Sequence, residues 1–203
     1  MKKFISFIFL VILYIPMLLI FPVIITGRKN IRRKGRVILC CNHQSMLDPL
    51  IMWGRIFRRR FKYMAKESLF KNKFMGFLYS CLGAYPVNRS ATDISAIKKT
   101  LGYLKEEKAV CIFPEGTRLK TDESNELKSG VVIFALKTGA PIVPSMYMKK
   151  IRPFCFSRYI VGKEFDLAKE IGYNTGDKIT SEVIDAGLQV LHDKMFELRK
   201  EKN

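Results

Sequence analysis

The chain has 203 residues, enough for one domain of ordinary size with a short appendage. Hydrophobic residues make up 48% of it, so it can bury a core, and a disordered chain is excluded. Its net charge of +18 points to anionic partners: nucleic acid, anionic lipid head groups or an acidic protein.

The first element is an apolar run. Phe4 to Thr26 spans 23 residues without a charge. As one helix it would extend about 34 Å, against a hydrocarbon core of about 30 Å. Pro16 and Pro22 would kink it or divide it, so a kinked spanning helix is expected first and a monotopic anchor second. No small-x-small cleavage site precedes Gly27, and removal is not expected. Lys2 and Lys3 precede the run, and Arg28, Lys29, Arg32, Arg33, Lys34 and Arg36 follow it. The positive-inside rule then places the rest of the chain in the cytoplasm, at the cell membrane. A basic block beside an apolar run also favours an anionic leaflet over nucleic acid. The expected division is a membrane anchor over 1–27 and a catalytic domain over 28–203.

Arg36 to Cys41 reads as a buried strand, Leu47 to Phe57 as a helix, and Phe61 to Ala65 as a strand. Leu69 to Leu82 is an apolar helix and Gly83 to Asn88 a short extended piece. From Ser90 to Glu107, Ile94, Ile97, Leu101 and Leu104 recur at helical spacing. Ala109 to Phe113 is a continuous apolar strand. Ser129 to Lys137 is a helix closed by Gly139. Pro141 to Met148 and Phe154 to Val161 read as strands, and Ile179 to Lys202 as a long amphipathic helix. Apolar strands alternating with helices indicate an α/β domain with a largely parallel sheet. Neither a glycine-rich nucleotide fingerprint nor a P-loop is present. The five cysteines, Cys40, Cys41, Cys81, Cys111 and Cys155, are odd in number and lack CxxC or metal-site spacing. They read as buried thiols without a disulfide framework.

Chemistry is concentrated at the ends of strands. His43 follows the strand 36–41 and lies five residues before Asp48 in Asn42-His43-Gln44-Ser45-Met46-Leu47-Asp48-Pro49. With a helix starting near Ser45, Asp48 could reach back to the imidazole, fix its tautomer and stabilise it when protonated. The same four residues from Ser45 to Asp48 also fit a capping box, in which Asp48 satisfies helix N–H groups. Spacing alone leaves both readings standing. No serine or cysteine sits in a nucleophile elbow, so a catalytic His43 would act directly on a substrate hydroxyl. His192, the other histidine, falls in the charged C-terminal helix and reads as a surface residue.

A second set follows the strand 109–113. Phe113-Pro114-Glu115-Gly116-Thr117-Arg118 combines a flexible turn, a carboxylate, a hydroxyl and a guanidinium that can hold phosphate. Gly83 to Arg89 has the same form, with Arg89 after a short strand, and Lys66 after the strand 61–65 is a further cation.

Together these blocks resemble the 1-acyl-glycerol-3-phosphate acyltransferase family, over roughly residues 36 to 165. Asn42 to Asp48 is similar to its His-x4-Asp block, Gly83 to Arg89 to its second block, Phe113 to Arg118 to its third, and Ala140 to Pro144 to its fourth. Asn88 stands where the family more often carries an acidic or other polar residue. The resemblance implies an αβ-acyltransferase domain on a membrane-associated helical element. It implies transfer of an acyl chain from acyl-CoA or acyl-carrier protein to the sn-2 hydroxyl of lysophosphatidic acid, giving phosphatidic acid. A different lyso-lipid acceptor is the alternative. His43 would be the base and Asp48 its orienting partner. Arg89, Glu115, Gly116, Thr117 and Arg118, with Lys66 as an addition, would bind the glycerol phosphate. The block around Pro144 would shape the acyl-chain or donor side. The thioester is a cosubstrate; no metal or resident cofactor is implied, and no nucleic acid.

Overall fold

The computed structural model describes residues 12, 16–45, 48–49, 51, 59–88, 93–116 and 127–200. Among them, seven strands form one sheet in the order β1-β7-β6-β2-β5-β3-β4. These are β1 Val23–Thr26, β2 Val37–Cys41, β3 Phe61–Lys66, β4 Ala84–Val87, β5 Ala109–Ile112, β6 Ile142–Tyr147 and β7 Ser157–Val161. Neighbours run parallel except β6 and β7, which are antiparallel.

The central strands are apolar throughout because both faces of the sheet are covered. Every residue of β2 and of β5 is buried. Leu39, Cys41 and Cys111 face one cluster, which includes Met17, Tyr63 and Leu82. Ile38, Cys40 and Ile112 face the other, with Phe134, Leu167 and Leu191. Helices accompany the sheet, among the described residues α1 Lys73–Leu82, α2 Ile94–Lys105, α3 Gly130–Thr138, α4 Leu167–Glu170 and α5 Ser181–Lys200. Asn72 caps α1 by accepting from the N–H groups of Phe74 and Met75 at 3.0 and 3.1 Å. Gly83 then turns the chain into β4 with a φ of 100°, its Cα so close to the Phe61 carbonyl that a Cβ would lie 2.3 Å from that oxygen.

The apolar N-terminal run ends as a helix sooner than its length suggests. Residues 16–20 are helical, and the last turn is marked by the Phe21 N–H donating to the Met17 carbonyl at 2.9 Å. Pro22 carries no N–H and stops the ladder. The β-branched Val23, Ile24, Ile25 and Thr26 then form an edge strand against β7. One helix over Phe4 to Thr26 is therefore corrected, and the sheet draws residues 23–26 from the stretch assigned to the anchor. No helix among the described residues is long and apolar enough to cross a membrane.

Two smaller expectations also change. Residues 154–156 belong to the β6–β7 loop rather than to β7, and Cys155 on that loop is exposed, unlike the buried Cys40, Cys41 and Cys111.

The basic block is divided by the fold as well. The Arg32 guanidinium donates to both carboxylate oxygens of Glu164, at 2.8 and 2.6 Å. Arg36 pairs with Glu107 through its side chain and its backbone N–H, and also donates to the Thr138 carbonyl at 2.6 Å. Arg36 immediately precedes β2, and Arg32 lies four positions earlier. These cations therefore fasten the amino edge of the sheet and are paired there, so this part of the block is not a free patch for anionic lipid.

Candidate active site

His43 lies at the opposite edge. The neighbours of β2 are β6 and β5, so the residues that follow or end these strands meet beyond the carboxyl edge. In an open α/β sheet that edge is where ligands bind. Here the chain brings Asn42 and His43 from β2, Phe113 and Glu115 from β5, and Tyr147 from β6.

Asp48 is fully buried. Its Oδ2 accepts from the backbone N–H groups of Gln44 and Ser45, both at 2.8 Å, and lies 2.9 Å from His43 Nδ1. The capping box and the catalytic pair are thus one arrangement, because the oxygen that caps the helix start also meets the imidazole. Since two N–H groups hold Oδ2 as an acceptor, Nδ1 carries the proton. That tautomer leaves the Nε2 lone pair free to take a proton from a substrate. The His43 side chain is 12% exposed, so the pair is shielded but reachable.

The ring is also held in place from the side. Phe113 stacks on it with centroids 4.3 Å apart and planes at 28°. The loop carrying His43 is tied to the sheet by Asn42, which accepts from the Tyr147 N–H at 2.8 Å and donates to the Tyr147 carbonyl at 3.0 Å. Gln44 donates to that carbonyl too, at 3.2 Å.

Glu115 accepts the His43 backbone N–H at 2.9 Å. Burial pushes its carboxyl up to about 7; the His43 N–H works against that shift and the Asp48 charge adds to it. Gly116 completes the turn with a φ of 69°, its N–H donating to the Phe113 carbonyl at 3.1 Å. An apolar cavity of about 170 Å³ opens here; Met64, Val87, Phe113, Gly116 and Phe134 are among the residues lining it. Phe113 forms a wall of this cavity and the floor under the imidazole.

Lys66 ends β3 at the same edge and is exposed. Arg89, Thr117 and Arg118 lie outside the described residues, as does most of the stretch expected to form a helix over 47–57. The block Ala140 to Pro144 lies in and before β6 and is buried except for the half-buried Pro141, with the Pro144 carbonyl accepting the Gly162 N–H at 2.8 Å. It forms part of the sheet core. His192 is exposed on α5. Tyr147 has no signal in the sequence read alone and looks like an ordinary core aromatic. Asn42 and Phe113 fall inside the sequence blocks, but their roles appear only in the fold, through a partner 105 positions away and through the stacked imidazole.

A family model described as Acyltransferase matches residues 22–148, a stretch that contains β1 and the groups gathered around His43. The chain belongs to the acyltransferase family. Among its curated relatives, the 1-acyl-sn-glycerol-3-phosphate acyltransferase of Bacillus subtilis is 36% identical over 121 residues, covering 60% of each chain. The Saccharomyces cerevisiae protein of that name is 37% identical over 125 residues, or 59% of this chain and 41% of its own length. The matched acyltransferase region thus spans about half the length of such relatives. A solved structure, the 1-acyl-sn-glycerophosphate (LPA) acyltransferase of Thermotoga maritima, superposes with a TM-score of 0.63 at 20% identity. It covers 87% of this chain and 72% of that one, and establishes the shared fold.

Proposed function

We propose that the chain transfers an acyl group from a thioester to the sn-2 hydroxyl of 1-acyl-glycerol-3-phosphate, giving phosphatidic acid. The observation that carries this reading is the His43–Asp48 pair at 2.9 Å, beyond the carboxyl edge of an acyltransferase-family sheet. The relatives' names supply the acceptor. His43 Nε2 takes the hydroxyl proton as the oxygen attacks the thioester carbonyl, and Asp48 stabilises the imidazolium so formed. The tetrahedral intermediate collapses with loss of the thiolate, which takes up the proton. No covalent enzyme intermediate is needed.

The glycerol phosphate would be held by Arg89 and Arg118, with Lys66, Thr117 and the Glu115–Gly116 turn around it. A Glu115 that is half-protonated near neutral pH can donate to a phosphate or hydroxyl oxygen as well as accept. An aliphatic chain fits the apolar cavity behind Phe113, close to the reacting atoms. The donor is acyl-CoA or acyl-carrier protein. The reaction draws its acyl group from that cosubstrate and asks for no resident cofactor or metal. Because the acceptor is a lipid, the site works at the surface of the cell membrane, on the cytoplasmic side.

The test is a radiolabelled acyl-transfer assay with lysophosphatidic acid and each thioester donor, alongside a panel of other lyso-lipids. Formation of labelled phosphatidic acid supports the reading. Transfer to a lyso-aminolipid in its place would reassign the acceptor.

A further inference from the structure

Directly beyond the active site stands the loop between β6 and β7. It leaves the sheet at Tyr147, the residue tied to Asn42 and Gln44, so residues 149–156 project past the edge that bears His43. The loop carries Lys149, Lys150 and Arg152, all exposed. Phe154 and Phe156 are 78% and 77% exposed. Bulky aromatics so exposed are unusual in pairs on a water-facing surface. Phe154 also has a φ of 58°, a left-handed backbone that a bulky residue rarely adopts. It is held there as its N–H donates to the Ile20 carbonyl at 2.6 Å, and the Ser157 N–H donates to the Pro22 carbonyl at 2.9 Å. The loop tip is thereby stitched to the apolar N-terminal segment, whose Leu19 is 75% exposed.

Beside the aromatics lies a cavity of about 560 Å³ whose lining includes Lys149, Lys150, Arg152 and Arg199, with Phe156 and Cys155 at its side. Four cations facing one cavity next to exposed aromatics match a leaflet in section: anionic phosphate outside, acyl chains beneath. The geometry points to the β6–β7 loop as a membrane-seating element. Phe154 and Phe156 enter the acyl layer, and the basic cavity takes the head group of an anionic phospholipid. The carboxyl edge, and His43 with it, then faces the bilayer. This rests on the lipid acceptor proposed above, and it moves the lipid-facing charge from the amino-edge arginines, Arg32 and Arg36, to the active-site edge. An acidic protein could match the cations, but it gives no reason for two exposed phenylalanines tied to an apolar segment.

Cys155 lies between the two phenylalanines and is exposed, which makes the loop directly observable. The full chain, with Cys81→Ser to confine labelling, would carry a small polarity-sensitive fluorophore on Cys155. Vesicles of phosphatidylcholine with and without phosphatidylglycerol would contain nitroxide-labelled acyl chains. The expected result is a blue shift and quenching by the acyl-chain nitroxide, stronger with phosphatidylglycerol. A K149Q/K150Q/R152Q variant should lose that preference. An F154S/F156S variant should lose the quenching. It should also fall by on the order of tenfold in transfer to vesicle-embedded lysophosphatidic acid, since each phenylalanine withdrawn from the bilayer forfeits apolar burial. In detergent its transfer should be unchanged. A probe that stays in water on vesicle-bound chain overturns the proposal. So does failure of the chain to bind vesicles, or a probe that responds to acyl-carrier protein but not to lipid. Quenching by a chain that transfers no acyl group to lysophosphatidic acid in any dispersion would leave the loop assignment intact and sink the proposed function instead.

Discussion

His43 depends on groups that each do a separate job. Asp48 holds its tautomer, Phe113 holds its plane, and the Asn42–Tyr147 bonds hold the loop it stands on. Replacing the imidazole removes the base itself. His43→Ala should lower kcat by about 10²–10⁴-fold, the usual worth of a general base, while the circular dichroism of the fold is retained. Asp48→Asn should cost on the order of 10²–10⁴-fold in kcat with little loss of stability, because the amide oxygen can still accept the Gln44 and Ser45 N–H groups. A variant keeping more than about a tenth of wild-type kcat would remove the pair from the mechanism.

Glu115 makes a different prediction. Its ordinary value of 4.5 is raised to about 7 in the fold. Below pH 4.5 the carboxyl is protonated whether folded or unfolded, and it costs nothing. Between 4.5 and 7 the unfolded chain ionises while the folded one resists, so stability is lost as pH rises through the folded value. Glu115→Gln can still accept the His43 N–H and cannot ionise. Its stability relative to wild type should therefore climb from pH 4.5 and level off above 7, by on the order of 1–2 kcal/mol once solvent screening is allowed for. Urea denaturation of both proteins across that range checks it. A difference that is flat with pH would mean that Glu115 is solvated.

At the scale of elements, each turn at the sheet edge has a local cause. The step from α1 into β4 requires Gly83, with its φ of 100° and the Phe61 carbonyl 2.3 Å from where a Cβ would sit. Gly83→Ala should cost about 3 kcal/mol or more, combining left-handed strain with a clash against backbone that cannot give way. The measurement is the denaturation midpoint. An alanine variant within about 0.5 kcal/mol of wild type would show that this turn relaxes readily.

β1 is the element whose chemistry misleads. An uncharged run of 23 residues is what a spanning helix also needs, and hydropathy does not separate a membrane helix from a helix followed by an edge strand. The difference lies in Pro22 and in the β-branched residues after it, and it becomes decisive only when β7 offers hydrogen bonds. β7 was legible as a strand, but its antiparallel direction was not. That direction depends on the length and course of the loop 148–156, which in turn positions Phe154 against Ile20.

On the scale of the whole molecule, the two edges of the sheet divide the labour. Paired arginines close the amino edge, at Arg32–Glu164 and Arg36–Glu107. The His43–Asp48 pair and the Glu115–Gly116 turn gather at the carboxyl edge. This division sets what truncation should do. Deleting residues 1–15 leaves β1 and the buried Met17 in place, so the sheet should keep its denaturation midpoint while membrane flotation weakens. Deleting residues 1–26 also removes Val23, 2% exposed, and the whole edge strand. It should cost several kcal/mol (roughly 2–5 for each large buried apolar side chain) and expose the edge of β7. Equal stability of the two truncations would mean that β1 contributes nothing to the sheet.

The α/β class, the buried strands β2 and β5 and the spacing of His43 from Asp48 were legible in the sequence alone, because apolar continuity and short-range spacing are local properties of the chain. Only the tertiary structure decided that β5 and β6 flank β2, which brings Glu115 and Tyr147 to a histidine 72 and 104 positions away from them in number. It likewise decided which cations are spent in ion pairs and which face a cavity, since charge pairing depends on distance in space and composition counts every lysine and arginine alike.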